Sequence, residues 1–432
     1  MSNESISTII QNIHTSNKLS GAKFTFVGSN SSGVSYLQAE SGASNTILES
    51  TLSYQRSSTI DYINQNLQKE SKITSFTSVE SAIEGSRASL ARGKKLLTIE
   101  SKNFIEFANS INKVYGVCIV ATLASVPIKK GDHRCHIAIS TDSKEKIYSI
   151  VLHKGGRTRD EEEKLCGLFL VGVCAIEIGT YSKSCQDFLE TYTAFGFLKD
   201  DKLTISSSSL AYPLERLLKK EIKSVLYLPT SSEIFEPRQI VIPDVPIMEL
   251  DKYGNKPTIL IESGSFNPLH KGHIHCLMNT VKDLSNCQPI FELSISNVDK
   301  SSLKLDEIIK RVPQFTNHPL IITNVPTYFD KEKLFHGASY VVGIDTAIRL
   351  VDPKYTNNDT SLMISSFKSM TNTKFYVYSR VAKDGGLWPT EEEVTLSKIK
   401  DIIPKEIEHM FVEIIGNEHK SESSSKLRLT LV

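Results

Sequence analysis

The stretch TILIESGSFNPLHKGHIHCLMNTVKDL (258–284) decides the fold of the second half of the chain. TILIE (258–262) has the apolar, β-branched composition of a short buried strand. A turn containing Gly264, Asn267 and Pro268 follows, and residues 270–284 have the spacing of a helix. The stretch therefore predicts a strand, a tight turn and a helix N-terminus in succession, which is typical of an α/β ligand-binding unit.

Further strand candidates follow at regular intervals, with helix-like segments such as LDEIIKRV and DTAIRLV between them. They are FELSIS (291–296), LIITNV (320–325), SYVVG (339–343), KFYVYS (374–379) and MFVEII (410–415). Alternation of this kind predicts a doubly wound parallel sheet over residues 257–432. Ligands of such sheets bind outside the carboxyl ends of the strands.

The preceding part of the chain has a different organisation. Residues 1–228 alternate between helix-like and strand-like segments, whereas 229–256 are rich in proline and favour no helix of normal length. We therefore expect an α/β protein with two domains, 1–228 and 257–432, joined by a linker at 229–256.

Composition excludes several classes of protein. The 432 residues include 50 Lys and Arg against 49 Asp and Glu, and 40% are hydrophobic. These values are typical of a soluble globular protein and predict no nucleic-acid partner. The most apolar stretch, 166–179, is too short to span a membrane. Seven scattered cysteines without CxxC spacing predict a reducing compartment, the cytoplasm, with access to the nucleus left open.

The turn after the first strand of the second half has the chemistry of a phosphate site. Gly264 allows a ligand to approach the backbone, and the amides of a helix N-terminus attract anions. His270 and His273 lie on one face of the first helical turn, and Gly272 places no bulky side chain between them. A solvated helix face or half of a metal site would have the same spacing. Because no further ligand has a similar context, we expect no protein-built metal site.

The string GSFNPLHKGH resembles the HxGH signature of the nucleotidylyltransferase superfamily, in the form found in nicotinate and nicotinamide mononucleotide adenylyltransferases. The resemblance implies that His270 and His273 are catalytic and bind triphosphate oxygens. It also implies a nucleotide-binding role for the rest of the motif, namely Gly264, Ser265, Phe266, Asn267 and Gly272.

A second motif of this family, ISSTxxR, is similar to residues 422–428, which read ESSSKLR and follow the strand candidate MFVEII. By this resemblance Ser424 and Ser425 would hold the β and γ phosphates, and Arg428 would add a fixed positive charge as a catalytic residue. A serine run near a C-terminus is also common in frayed tails. Together, the two motifs extend the resemblance over residues 264–428.

Smaller features between the two motifs fit the same family. Gly343-Ile344-Asp345 resembles the GxD of the adenylyltransferase branch, although Asp345 could equally be a helix N-cap. Lys300 and Arg380 resemble basic residues that face the substrate phosphate. For Lys300, a solvated loop lysine is the alternative.

The first half contains a weaker resemblance. VGSNSSGV (27–34) resembles AESCTGGL, which marks the CinA C-terminal (nicotinamide-nucleotide amidase) family, and implies a ligand turn at Ser29, Ser31 and Gly33. The glutamate of that string is replaced by Gly28, and a lysine expected downstream is replaced by Thr59. Because a hydroxyl nucleophile needs a proton acceptor, we expect the fold without the amidase activity. The alternative is an unrelated α/β domain with a serine-rich turn.

The two resemblances together imply a function in pyridine-nucleotide metabolism. The expected reaction is adenylyl transfer from ATP, or transfer from another nucleoside triphosphate with Mg2+, to nicotinamide or nicotinate mononucleotide. A cytidylyltransferase acting on a phosphorylated alcohol is the alternative enzyme, and a non-catalytic nucleotide sensor or scaffold is the alternative of another class. The sequence leaves homo-oligomer formation open.

Overall fold

The structure is a computed structural model of the 432-residue chain. It describes residues 5–16, 21–30, 32–102, 104–128, 130–192, 197–209, 213–229, 238–241, 258–284, 286–296, 302–370, 372–381 and 392–415. Five of the site residues expected from the sequence lie outside these ranges: Ser31, Lys300, Ser424, Ser425 and Arg428.

The chain forms two compact units, Met1–Leu97 with Asn109–Ala211 and Thr98–Ala108 with Tyr212–Val432. The helices up to residue 192 are α1 (Ile6–Ser16), α2 (Ser32–Gln38), α3 (Arg56–Leu67), α4 (Val79–Glu100), α5 (Phe104–Ile111), α6 (Arg159–Glu177) and α7 (Cys185–Tyr192). The strands of the first unit are β1 (Lys23–Gly28), β2 (Ile47–Leu52), β3 (Val114–Thr122), β4 (His133–Ser140), β5 (Lys144–Leu152) and β6 (Lys202–Ser209).

Within the described residues, the first unit contains a six-stranded sheet in the order β2-β1-β3-β4-β5-β6. β1 pairs in parallel with β2 and β3, whereas β4, β5 and β6 continue the sheet in antiparallel pairs. α6 begins with a capping box, in which Thr158 accepts from the amide of Glu161 and the Glu161 side chain accepts from the amide of Thr158. Most of its apolar residues are buried, as its sequence predicts. In the parts of the chain described here, no helix is both long and apolar enough to cross a membrane.

The second unit contains the predicted strand–helix alternation. Its helices are α8 (Pro213–Leu218), α9 (Lys271–Asp283), α10 (Leu305–Arg311), α11 (Tyr328–Leu334), α12 (Ile344–Leu350) and α13 (Thr360–Lys368). Its strands are β7 (Ser224–Leu228), β8 (Arg238–Val241), β9 (Thr258–Ser263), β10 (Cys287–Ser294), β11 (Leu320–Thr323), β12 (Ser339–Gly343), β13 (Phe375–Tyr378), β14 (Arg380–Val381), β15 (Glu393–Val394) and β16 (Phe411–Ile414).

The main sheet of the second unit has the strand order β16-β13-β12-β9-β10-β11-β7-β8 among the described residues. The six strands from β16 to β11 are all parallel. Numbered from β9 along the chain, these strands have the order 3-2-1-4-5-6 of the doubly wound fold. The order reverses between β9 and β12, so the crevice where ligands bind such sheets lies at the carboxyl ends of these two strands.

The start of the second unit differs from the expected boundary. β7 pairs antiparallel with β11, although its residues were expected to end the first domain at 228. β8 in turn pairs antiparallel with β7 and lies within the expected linker, 229–256. The reason is physical: the free edge of β11 offers backbone groups that a passing strand can pair with. The rest of that linker, apart from residue 229, lies outside the described residues.

A buried carboxyl group lies in the central strand β9. Glu262 sits between Phe291 of β10 and Val341 of β12 and is 7% exposed. Its Oε2 has no hydrogen-bond partner among the described residues. Burial raises the pKa of Glu262 well above its usual value, because the ionised form loses its hydration.

We therefore expect the buried carboxyl group of Glu262 to destabilise the folded chain to a degree that depends on pH. Its pKa is higher in the folded chain than in the unfolded chain, so stability is lost as pH rises above about 4.3. We expect Glu262→Gln to raise the melting temperature at pH 8 and to raise it less at pH 5. The matched control is Glu406→Gln, the same substitution at an exposed position. An equal change of the melting temperature in Glu262→Gln at both pH values would contradict the raised pKa of Glu262.

Candidate functional site

The turn that follows β9 is shaped by one buried aromatic ring. Phe266 is fully buried and has a positive φ of 42°, a strained conformation for a bulky residue. Its ring packs edge-on against Phe291 and Phe315, with centroid distances of 5.4 and 5.2 Å. A Cβ added at Gly264 would lie 2.7 Å from the same ring. The glycine is therefore required by packing within the turn itself.

Side chains from α10 and the turn after it hold the backbone of this segment. Arg311 Nη1 donates to the carbonyl of Ser265 at 3.0 Å. Gln314 donates through Nε2 to the carbonyl of Phe266 at 3.2 Å and accepts at Oε1 from the amide of Leu269 at 2.7 Å. These contacts fix the carbonyls of the turn, so its shape does not depend on a ligand.

The two motif histidines are brought together at the start of α9. His270 is the N-cap in an extended conformation, and its ring stacks on that of His273 at a centroid distance of 3.7 Å. The backbone amide of His270 donates to Nδ1 of His273 at 3.3 Å. A neutral His273 therefore carries its proton on Nε2, which is then its hydrogen-bond donor. Gly272, which lies between the two histidines in the sequence, is buried.

His273 is held in its neutral form. Burial lowers the pKa of His273 to about 3, and the charges of His270 and Arg380 act in the same direction. At neutral pH this imidazole can donate one hydrogen bond but contributes no full positive charge. Any charge that balances phosphate at this place must come from other groups.

The GxD motif and the expected phosphate-binding arginine lie close together. Asp345 is in the first turn of α12, after β12, and its Oδ2 accepts from Nη1 of Arg380 at 2.8 Å. Both side chains are partly exposed, at 57% and 29%. A Cβ added at Gly343 would meet nothing within 4 Å, so crowding does not require a glycine there.

A cavity of about 560 Å³ opens beside the turn. Its volume lies in the range of small-molecule sites. Its lining comes from the ends of β9 and β10 and from α10, α11 and α12, and it includes Gly264, Ser265 and Asn267 of the motif. Two arginines, Arg311 and Arg349, also contribute to its wall.

Sequence reasoning missed the charged pair that lines this cavity. Lys331 Nζ lies 2.9 Å from Oε2 of Glu292 and 3.2 Å from Oγ of Ser263. Oε1 of Glu292 accepts from the hydroxyl of Thr323 at 2.5 Å. The side chains of Lys331 and Glu292 are 4% and 0% exposed. The available signal was Glu292 itself, an acid inside the apolar strand FELSIS, since acids are rarely buried without a partner.

In the first unit, the expected ligand turn is used largely for packing. Gly28 has φ 150°, and a Cβ added there would lie 2.0 Å from the carbonyl oxygen of Ile119. A Cβ at Gly33 would lie 2.6 Å from Leu170 of α6, so this glycine permits close contact of α2 and α6. Ser29 donates its backbone N–H to the same Ile119 carbonyl at 3.1 Å.

The residue at the position of the expected lysine, Thr59, makes a local contact. The hydroxyl of Thr59, in α3, lies 2.9 Å from that of Ser53.

A buried Glu162 holds the loop after β3, because its Oε2 accepts from the amide of Ala124 at 2.6 Å. Its Oε1 lies 2.7 Å from Nδ1 of His133. The sequence did not point to this pair, which joins residues that are 29 positions apart.

Over the described ranges, no cluster of three or more His, Cys, Asp or Glu side chains has the geometry of a metal site.

Comparisons with known proteins give matches to part of the chain. The competence/damage inducible protein CihA from Agrobacterium tumefaciens is 12% identical, with 42% of this chain and 95% of that chain covered and a TM-score of 0.26. The competence damage-inducible protein A (ComA) from Klebsiella pneumoniae is 9% identical, with 41% and 100% covered and a TM-score of 0.29. A competence-damaged protein (CinA) superfamily protein from Escherichia coli is 13% identical, with 41% and 94% covered and a TM-score of 0.25. No family model and no curated protein sequence matches the chain. These likenesses assign neither an activity nor a ligand to the chain.

The lowered pKa of His273 leads to a testable effect on stability. His273 is neutral in the folded chain but has a pKa near 6.5 in the unfolded chain. Its contribution to the free energy of unfolding is therefore present above pH 6.5 and is lost as the pH falls. Between pH 7.5 and pH 5 we expect the wild-type chain to lose about 2 kcal/mol more unfolding free energy than His273→Gln. Urea unfolding at the two pH values measures the difference. His275→Gln is the control on the same helix, and an identical pH slope for wild type and His273→Gln would refute the assignment.

Proposed function

We propose that the second unit transfers a nucleotidyl group, most readily adenylyl from ATP, to nicotinamide or nicotinate mononucleotide with release of pyrophosphate. The observation that carries the proposal is the stacked pair of His270 and His273 at the N-terminus of α9, directly after the central strand β9. In sheets of this order, that edge is where ligands bind. The resemblance of residues 264–273 to the HxGH signature supports the same reading.

The proposed reaction needs no covalent intermediate. A phosphate oxygen of the acceptor attacks the α-phosphorus of the triphosphate, and the bond from that phosphorus to the bridging oxygen of the β-phosphate breaks. The bonding electrons leave with pyrophosphate. Mg2+ enters with the triphosphate as part of the substrate and neutralises its charge. The protein contributes position and hydrogen bonds to the oxygens on which charge develops.

His273 is suited to such a role because its donor is already oriented. With Nδ1 accepting from the backbone, Nε2–H of His273 is the available donor. The ring is fixed by stacking on His270 and by an edge-to-face contact with Phe266. A donor that needs no reorientation stabilises a transition state more than one that must reorganise. Arg380 would supply positive charge to phosphate after exchanging its contact with Asp345.

The cavity beside the turn is the site we assign to the acceptor. It shares Gly264, Ser265 and Asn267 with the motif, so an acceptor bound there would lie next to a triphosphate at the histidines. Lys300, Ser424, Ser425 and Arg428 remain expected contacts of the phosphates, and they lie outside the described residues. We place the reaction in the cytoplasm.

Pyrophosphate release tests the catalytic assignment. His273→Ala should lower turnover about 100-fold with ATP, Mg2+ and nicotinamide mononucleotide, because a preorganised donor contributes roughly 3 kcal/mol. His275→Ala, two residues along the same helix, should retain most of the activity. Release with CTP and a phosphorylated alcohol, but not with ATP and either mononucleotide, would favour the cytidylyltransferase alternative. Wild-type turnover in a folded His273→Ala protein would remove the basis for the assignment.

For the first unit, we propose binding of a pyridine mononucleotide without hydrolysis. The serine of the resembled amidase string is present at Ser29, but Gly28 has no carboxylate and Thr59 no amine to accept a proton. The full chain should therefore release no ammonia from nicotinamide mononucleotide above background. Ammonia release that disappears in Ser29→Ala would contradict this and would indicate an unrecognised base.

A further inference from the structure

Ser263 is placed to act on a ligand in the cavity. It is the last residue of β9, precedes the motif turn, and lines the cavity beside Gly264. Its Oγ lies 3.2 Å from Nζ of Lys331. A protonated lysine can only donate hydrogen bonds, so the oxygen of Ser263 must be the acceptor in this contact. The proton of the hydroxyl is then directed away from Lys331.

The group that orients Ser263 is itself held in place. Lys331 is paired with the buried Glu292 at 2.9 Å, and its ammonium lies 4.7 Å from the centre of the Tyr328 ring. Glu292 is held by Thr323 on the neighbouring strand β11. Because these side chains are almost fully buried, Lys331 cannot turn away from Ser263 without leaving charge unpaired.

A tyrosine lies beside this pair. Tyr328 also lines the cavity, and its ring lies against the ammonium group of Lys331. Because Ser263 accepts from Lys331, its own hydroxyl proton is available to a partner in the cavity. The positive charge of Lys331 on the serine oxygen polarises this hydroxyl and strengthens it as a donor. The network therefore presents a donor to a ligand oxygen, while the Lys331–Glu292 pair keeps the total charge at zero.

We propose that Ser263 determines acceptor specificity by donating its hydroxyl proton to a carbonyl oxygen on the ring of the acceptor. The inference rests on the proposed use of the cavity as the acceptor site. It selects mononucleotides whose base carries a carbonyl, such as the carboxamide of nicotinamide mononucleotide, over those without one. Removal of the ligand carbonyl leaves a buried donor unsatisfied, and this is the source of discrimination.

Calorimetry on the full chain tests the inference without requiring turnover. The ligands are nicotinamide mononucleotide and pyridine riboside 5′-phosphate, which differ only by the carboxamide. The wild type should bind the first about tenfold more tightly, the effect expected of one hydrogen bond to a buried partner. Ser263→Ala should bring the two affinities within about twofold of each other, and Ser263→Thr, which keeps the hydroxyl, should retain the preference.

The outcomes separate this inference from the proposed reaction. Preference for the carboxamide that is lost in Ser263→Ala supports the role of Ser263, even if no pyrophosphate is released. Pyrophosphate release with equal affinity for both ligands would support the reaction and overturn the role of Ser263. Three other results would also overturn the role of Ser263. Ser263→Ala could weaken the binding of both ligands equally, it could keep the preference for the carboxamide unchanged, or neither ligand could bind to the wild type.

Discussion

The buried ion pair between Lys331 and Glu292 is the constraint on which the ligand-binding edge of the second unit depends. Through Ser263 and Thr323 it connects the carboxyl ends of β9, β10 and β11 with α11. A buried ion pair adds little to the stability of a fold, because both charges lose their hydration. Removal of one partner nevertheless costs about 3–5 kcal/mol of folding free energy, since the other charge is left uncompensated. The pair therefore favours one arrangement of these four elements, and residues of all but β11 line the cavity.

Much of the second unit could be predicted because its signals are local. The sequence of β9, turn and α9 predicted those elements to within one residue, and SYVVG matches β12. β10 begins at Cys287, four residues before its predicted start, and includes Pro289. The structure accommodates the proline because β10 pairs with β11 only from Phe291, so no hydrogen bond is required on that side. The place of β7 in this sheet could not be predicted, because its pairing with β11 joins distant segments, and β8 is added to the sheet only through β7.

The same distinction between local and long-range contacts applies to the candidate site. His270 and His273 lie three residues apart, so one helical turn fixes their proximity and the sequence was sufficient to predict it. The contact of Asp345 with Arg380 follows from two neighbouring parallel strands that end at the same edge. Lys331 and Glu292 are 39 residues apart, and Arg311 acts on the turn from 46 residues away. Neither has a spacing that a pattern could identify, because only the folded sheet brings them together.

The contact between Gly28 and the Ile119 carbonyl limits how the first unit can be engineered. The amidase motif that residues 27–34 resemble has a glutamate where this chain has Gly28, and any side chain there would collide with the backbone of β3. Introducing an acid by one substitution would force β1 and β3 apart and break the hydrogen bond from Ser29 to Ile119. Design of a carboxylate at position 28 would therefore have to begin with the spacing of these two strands, and not with the side chain.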